Sequence, residues 1–136
     1  MKTGIQVQND IINLLRGSSL ANSLSGGLYR GGMRPRDSRL EDIVVTFTTA
    51  NGNQVQEGVV TINIFVPDIA IARDGILYQD SARCEAVETM AQDELDTWNG
   101  TTEYHFTLRN TIFTLHDDDI HESFVVIRLG FKCLNY

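Results

Sequence analysis

The sequence predicts an α+β domain: an antiparallel sheet of about four or more strands, with an N-terminal helix and one long central helix packed on one face. Three observations predict it. Apolar residues recur at helical spacing in two segments, they alternate with a period of two in four others, and glycine or proline stands where the period changes. A chain of 136 residues is the size of one domain, so residues 1–136 are read as a single unit.

From about Gln6 to Arg16, the residues Ile5, Ile11, Ile12 and Leu15 share one side of a helix, and Gly17 ends it. Ser18 or Ser19 caps a second short turn carrying Leu20, Ala21 and Leu24, which stops at Ser25-Gly26-Gly27. Residues 28–39 combine paired glycines, a proline and four arginines, so this stretch reads as irregular backbone, solvated or held against something negative. From Glu41, Ile43, Val45 and Phe47 alternate, and Val60, Ile62, Ile64 and Val66 do the same beyond Asn51-Gly52. Two strands joined by an Asn-Gly turn form a hairpin, and Pro67 closes the second by withholding a ladder donor. Apolar residues lie on both faces of these strands, so the second face is expected to be covered by a helix or a neighbouring subunit.

Residues 68–80 carry Ile69, Ile71, Ile76, Leu77 and Tyr78 without a clean period, and a connection of this length is uncommon without a role. Its apolar side chains are expected to be buried. Asp80 or Ser81 caps a helix reaching about Trp98, with Cys84, Val87, Met90, Ala91, Leu95 and Trp98 inside and Asn99-Gly100 as its stop. Tyr104, Phe106 and Leu108 begin another strand, with a break near Asn110 before Ile112, Phe113 and Leu115. After Asp117-Asp118-Asp119, the last strand sets Val125, Ile127, Leu129, Phe131 and Cys133 on one face.

The formal net charge of −7 argues against coating DNA or an anionic membrane as the main task. The charge is unevenly placed: residues 1–50 hold six basic and four acidic side chains, and residues 51–136 hold five and fourteen. Such a division allows head-to-tail attraction between copies. Cys84 and Cys133 lack metal or redox spacing and read as buried thiols. No stretch has the apolar length of a spanning helix or a signal peptide, which predicts a soluble protein made in the cytoplasm.

Chemistry is sparse. His116, Asp117, Asp119 and His121 are the metal-ligating candidates, because imidazoles and carboxylates crowd between residues 116 and 122, but neither zinc-protease nor calcium-loop spacing is present. A small metal-binding protein or metal-dependent hydrolase built on this segment is the alternative reading. Ser123 near His121 lacks any nucleophile-elbow context, and the glycine pairs match no phosphate-binding pattern. No catalytic residue and no cofactor is predicted. Arg30, Arg34, Arg36 and Arg39 form the densest cluster of one sign, suited to ion pairs within the protein or to a neighbouring subunit.

The run Leu24 to Arg30, then Arg34-Pro35 with Asp37-Ser38, Glu41 to Val45, and Val60 to Asp68 resembles a family of small tail proteins of tailed bacteriophages and prophages, particularly those of Bacteroides-type bacteria. In element order the chain is similar to tail completion, tail terminator or head-tail joining proteins. The resemblance implies a non-enzymatic virion component, assembled in the host cytoplasm, that caps the head-proximal end of the tail as a ring, commonly a hexamer. The partners it implies are further copies of the chain, the tail tube protein and the head connector or neck protein, with DNA passing but not gripped and no membrane. Carried onto this sequence, the contact candidates are Asn51 and Gly52, then Ile69, Ile71 and Tyr78, and the tip Asp117, Asp118 and Asp119, beside the four arginines.

Overall fold

The computed structural model describes residues 1–52, 54–100 and 102–134. Helix α1 (Gly4–Leu15) is followed by the short α2 (Ser19–Asn22), β1 (Leu28–Arg30), β2 (Ile43–Gly52), β3 (Val55–Pro67), β4 (Ile69–Ala70), β5 (Leu77–Tyr78), α3 (Ser81–Leu95), β6 (Tyr104–Leu108), β7 (Phe113–Asp117) and β8 (Glu122–Leu134). The fold is α+β.

The central pair is β3 with β8, antiparallel and in register from Val55↔Leu134 to Pro67↔Glu122. On its other edge β8 takes β6 along Leu129 to Cys133 and β7 along Glu122 to Val126, while β2 and then β1 extend the sheet beyond β3. Period-two residues decide the buried face. Val60, Ile62, Ile64 and Val66 of β3 join Val125, Ile127, Leu129 and Phe131 of β8, all essentially without solvent contact. Val7, Ile11, Ile12 and Leu15 of α1 and Cys84, Val87 and Ala91 of α3 belong to that same core.

Local signals explain the helix ends. Thr3 and Gln6 form a reciprocal capping box, Thr3 Oγ1 accepting from the Gln6 amide at 3.2 Å and Gln6 Oε1 from the Thr3 amide at 2.8 Å. Asp80 caps α3 by accepting from the Arg83 amide at 3.2 Å.

Several expectations need correction. The sheet is mixed and six-stranded, because β1 pairs parallel with β2. The intervening loop is long enough to bring the chain back in the same direction. Three residues at a sheet edge leave no period to read, so β1 was invisible in a stretch taken as irregular. The two helices take different strands of the core face: α1 packs on β1 and β2, whereas α3 packs on β3, β7, β8 and the short α2. Ile5 is exposed and Val7 takes the inward position in α1. Trp98 is buried but lies beyond the end of α3. Asn51 and Gly52 are not the hairpin turn; both remain in the β2 ladder, paired with Glu57 and Gln56.

The second face of the sheet carries no helix. Thr46 and Thr48 of β2, His105 and Thr107 of β6, and Arg128 and Lys132 of β8 are exposed there. Gly58 sits where the β2 bulge between Phe47 and Thr49 brings strands close, and a Cβ would lie 2.7 Å from Ala50 Cβ and 2.8 Å from the Phe131 ring. Gly58→Ala should therefore cost about 1–3 kcal/mol, and Ile127→Ala about 2–5 kcal/mol through a core cavity, both read by denaturant unfolding.

Candidate functional site

Between β3 and α3 the chain leaves the main sheet as an arm. Strand β4 pairs with β5 through Ile69↔Tyr78 and Ala70↔Leu77, and Gly75 at φ 76° closes the turn with the Ile76 amide donating to Asp74 Oδ1 at 3.0 Å. Ile69, Ile71, Ile76, Leu77 and Tyr78 are 41% to 70% exposed, so the burial expected of them does not occur within the subunit. Each is large and apolar; Ile69 and Tyr78, paired across the ladder, share one face of the arm, and Leu77, paired with Ala70, lies on the other.

A two-residue ladder does not hold itself in water. The arm is instead clamped at its base to the β7–β8 hairpin. The Asp68 amide donates to the His121 carbonyl at 3.0 Å, both Asp68 carboxylate oxygens lie 3.0 Å from His116 Nε2, and Gln79 Nε2 donates to Ser123 Oγ at 3.0 Å. The Asp68 side chain is buried. Its hydrogen bond, outweighing partial burial of the ring and helped by the charges of Asp68, Asp118 and Asp117, holds the His116 imidazolium above the usual histidine pKa of 6.5.

The acidic tip is used locally. Asp117 pairs across from Glu122 and accepts from the Asp119 amide at 3.0 Å, Asp118 reaches His116 Nδ1 at 3.1 Å, and His121 takes φ 54° in the turn. Among the described residues no three His, Cys, Asp or Glu side chains gather as a metal site requires. His116 thus faces the arm's Asp68, and His121 serves the turn geometry.

The arginine cluster divides. Arg36 and Arg39 are exposed, Arg30 is half-buried on β1, and Arg34 is the centre of a buried network. Arg34 Nε donates to Asp42 at 2.8 Å, its two terminal nitrogens donate to Glu122 at 2.9 and 3.1 Å, and its guanidinium lies 3.8 Å from the Phe65 ring centroid. Asp42 also accepts from the Ser38 hydroxyl and from the Gly27 amide at 2.9 Å. Burial opposes ionisation of Asp42, but these bonds prevail and hold its carboxyl below the ordinary 3.8. Burial also opposes the Arg34 charge, and the Glu122 and Asp42 bonds again prevail. A second bidentate pair, Arg83 to Glu41 at 2.6 and 2.9 Å, ties α3 to the start of β2, with Arg83 also donating to the Ser23 carbonyl at 2.7 Å.

Asp42, Glu122, Asp68 and the Arg83–Glu41 pair escaped the sequence reading. The available signal was a carboxylate directly adjoining an apolar strand, as Asp42 precedes Ile43 and Glu122 opens β8. Ser123 is buried and pairs across the ladder from His116, and burial pushes the Cys84 thiol pKa up, away from the reactive thiolate.

Two measurements follow from these networks. Arg34→Ala leaves two buried carboxylates without their counter-charge and should lose about 3–5 kcal/mol, with Asp42's contribution present above pH 3.8 and lost as pH falls through its lowered folded value. His116, whose folded pKa is raised, should contribute stability fully below pH 6.5 and lose it as pH rises through the folded value; an NMR titration should place its midpoint above 6.5, and Asp68→Asn should bring it down.

No protein-family model and no curated protein matches the sequence. Several solved structures are similar in fold, among them one protein that matches over 96% of this chain and 96% of its own, with a TM-score of 0.51 and 17% identity. That likeness concerns the fold alone.

Proposed function

We propose that the chain is a structural, non-enzymatic subunit that assembles with copies of itself into a ring at the head-proximal end of a phage tail, where it joins the tail tube to the head connector. The observation that carries the assembly reading is the arm: five large apolar side chains raised from the main sheet and held at the base by charged and polar bonds. Water disfavours such a patch, and a neighbouring copy would cover it.

The tail-end assignment adds the sequence resemblance to that physical argument. The unhelical second face of the sheet supports it too, since a subunit with both an apolar arm and an open sheet can contact neighbours on two sides. The ring would leave DNA passing through an acidic protein that does not grip it.

The experiment is light scattering over a concentration series. The expected result is a monomer joining into a closed ring of about six subunits, with Ile71→Asp/Tyr78→Asp remaining monomeric while folded by circular dichroism. A wild-type protein that stays monomeric throughout, or an arm variant that assembles as the wild type does, would sink the proposal.

A further inference from the structure

The two broad sides of the subunit carry opposite charge. On the open sheet face, Arg128 and Lys132 project from β8, and Arg109 lies against the same face, its guanidinium so close over Gly130 that a Cβ there would meet it. Glu57 pairs with one of these cations, 3.6 Å from Lys132 Nζ. This is a basic surface on a chain of net charge −7.

On the opposite side, α3 shields the core with one flank and turns acids outward with the other. Asp93 and Asp96 are exposed at its C-terminal end, the last turn has no basic residue, and the helix's one arginine, Arg83, is engaged by Glu41. Carboxylates at a helix C-terminus face the negative end of the macrodipole, a placement that costs rather than gains folding stability. A cation supplied from outside the subunit relieves that cost.

We propose that, within the assembly put forward above, the open sheet face of one subunit receives the C-terminal half of α3 from the next copy, with Arg109 and Arg128 facing Asp93 and Asp96. The inference rests on the self-assembly reading and specifies its partner surface. Because the two patches lie on opposite sides of one subunit, the contact is head-to-tail, and it closes into a ring when the rotation from one copy to the next closes. The sheet face offers an apolar ring beside its charge: Phe113 is half-buried, with the Arg128 guanidinium 5.9 Å from its ring centroid.

Charge exchange tests this. Arg109→Glu/Arg128→Glu and Asp93→Lys/Asp96→Lys alter exposed side chains, and each is expected to weaken self-association about tenfold or more at low salt. Mixing the two variants, or combining all four changes in one chain, should restore assembly, because each reversed patch then meets a reversed partner. Single-patch variants that assemble like the wild type, or a four-fold variant that fails to recover, would overturn this contact while leaving the arm-based assembly standing. A wild-type chain that never associates overturns both. If the arginine variant keeps its solution mass and instead loses affinity for duplex DNA, the face serves nucleic acid and the proposal is wrong.

Discussion

The constraint from which the rest follows is the β3–β8 ladder, thirteen residue pairs long and buried along the whole of one face. Its inward side chains, chiefly Val, Ile, Leu and Phe, set the plane on which α1 and α3 must lie. Once both helices are placed there, no helix remains for the other face, which the segment carrying Arg34 covers only at its Phe65–Glu122 end. The chain between β3 and α3 is equally short of a surface to bury itself in, and it stands out as the arm. A sheet of six strands with one helical side is therefore stable as a subunit and incomplete as a surface.

Charged groups do the work of joining distant segments to that plane. Arg34 holds the loop after β1 against the beginnings of β2 and β8, Arg83 holds α3 against the beginning of β2, and His116 with Asp68 holds the arm against the β7–β8 hairpin. Each joins residues at least 8 and as many as 88 positions apart. Breaking such a pair on one side is costlier than its net contribution suggests, because the partner left behind is a charge already removed from water. These joints are where the fold is specified beyond hydrophobic pattern alone.

What the sequence made legible follows from the range of each interaction. Alternation from Val60 to Val66 and from Val125 to Cys133, the helix from Ser81, and the break near Asn110 are local patterns, and they were readable. The parallel placement of β1 depends on three residues meeting Ile43 to Val45 across a loop, and nothing local encodes it. The Asn-Gly dipeptide is a strong turn signal, yet the ladder runs through it, since continued pairing with β3 outweighs turn preference. The apolar content of the arm was visible in the sequence, but its exposure is a tertiary fact: the pattern says that Ile69, Ile71 and Tyr78 need a covering surface, and only the fold shows that the subunit does not supply one. Of the candidate contacts, Ile69, Ile71 and Tyr78 are exposed on the arm, whereas Arg34 is internal and Asn51 and Gly52 are strand residues.

The central claim is that the arm is a surface awaiting a second copy. Amide hydrogen exchange of residues 69–78, measured on dilute and on concentrated protein, tests it without altering a residue. Covering by a neighbour predicts protection that rises with concentration in this segment while the β3–β8 core stays unchanged. Equal exchange at both concentrations would contradict the account.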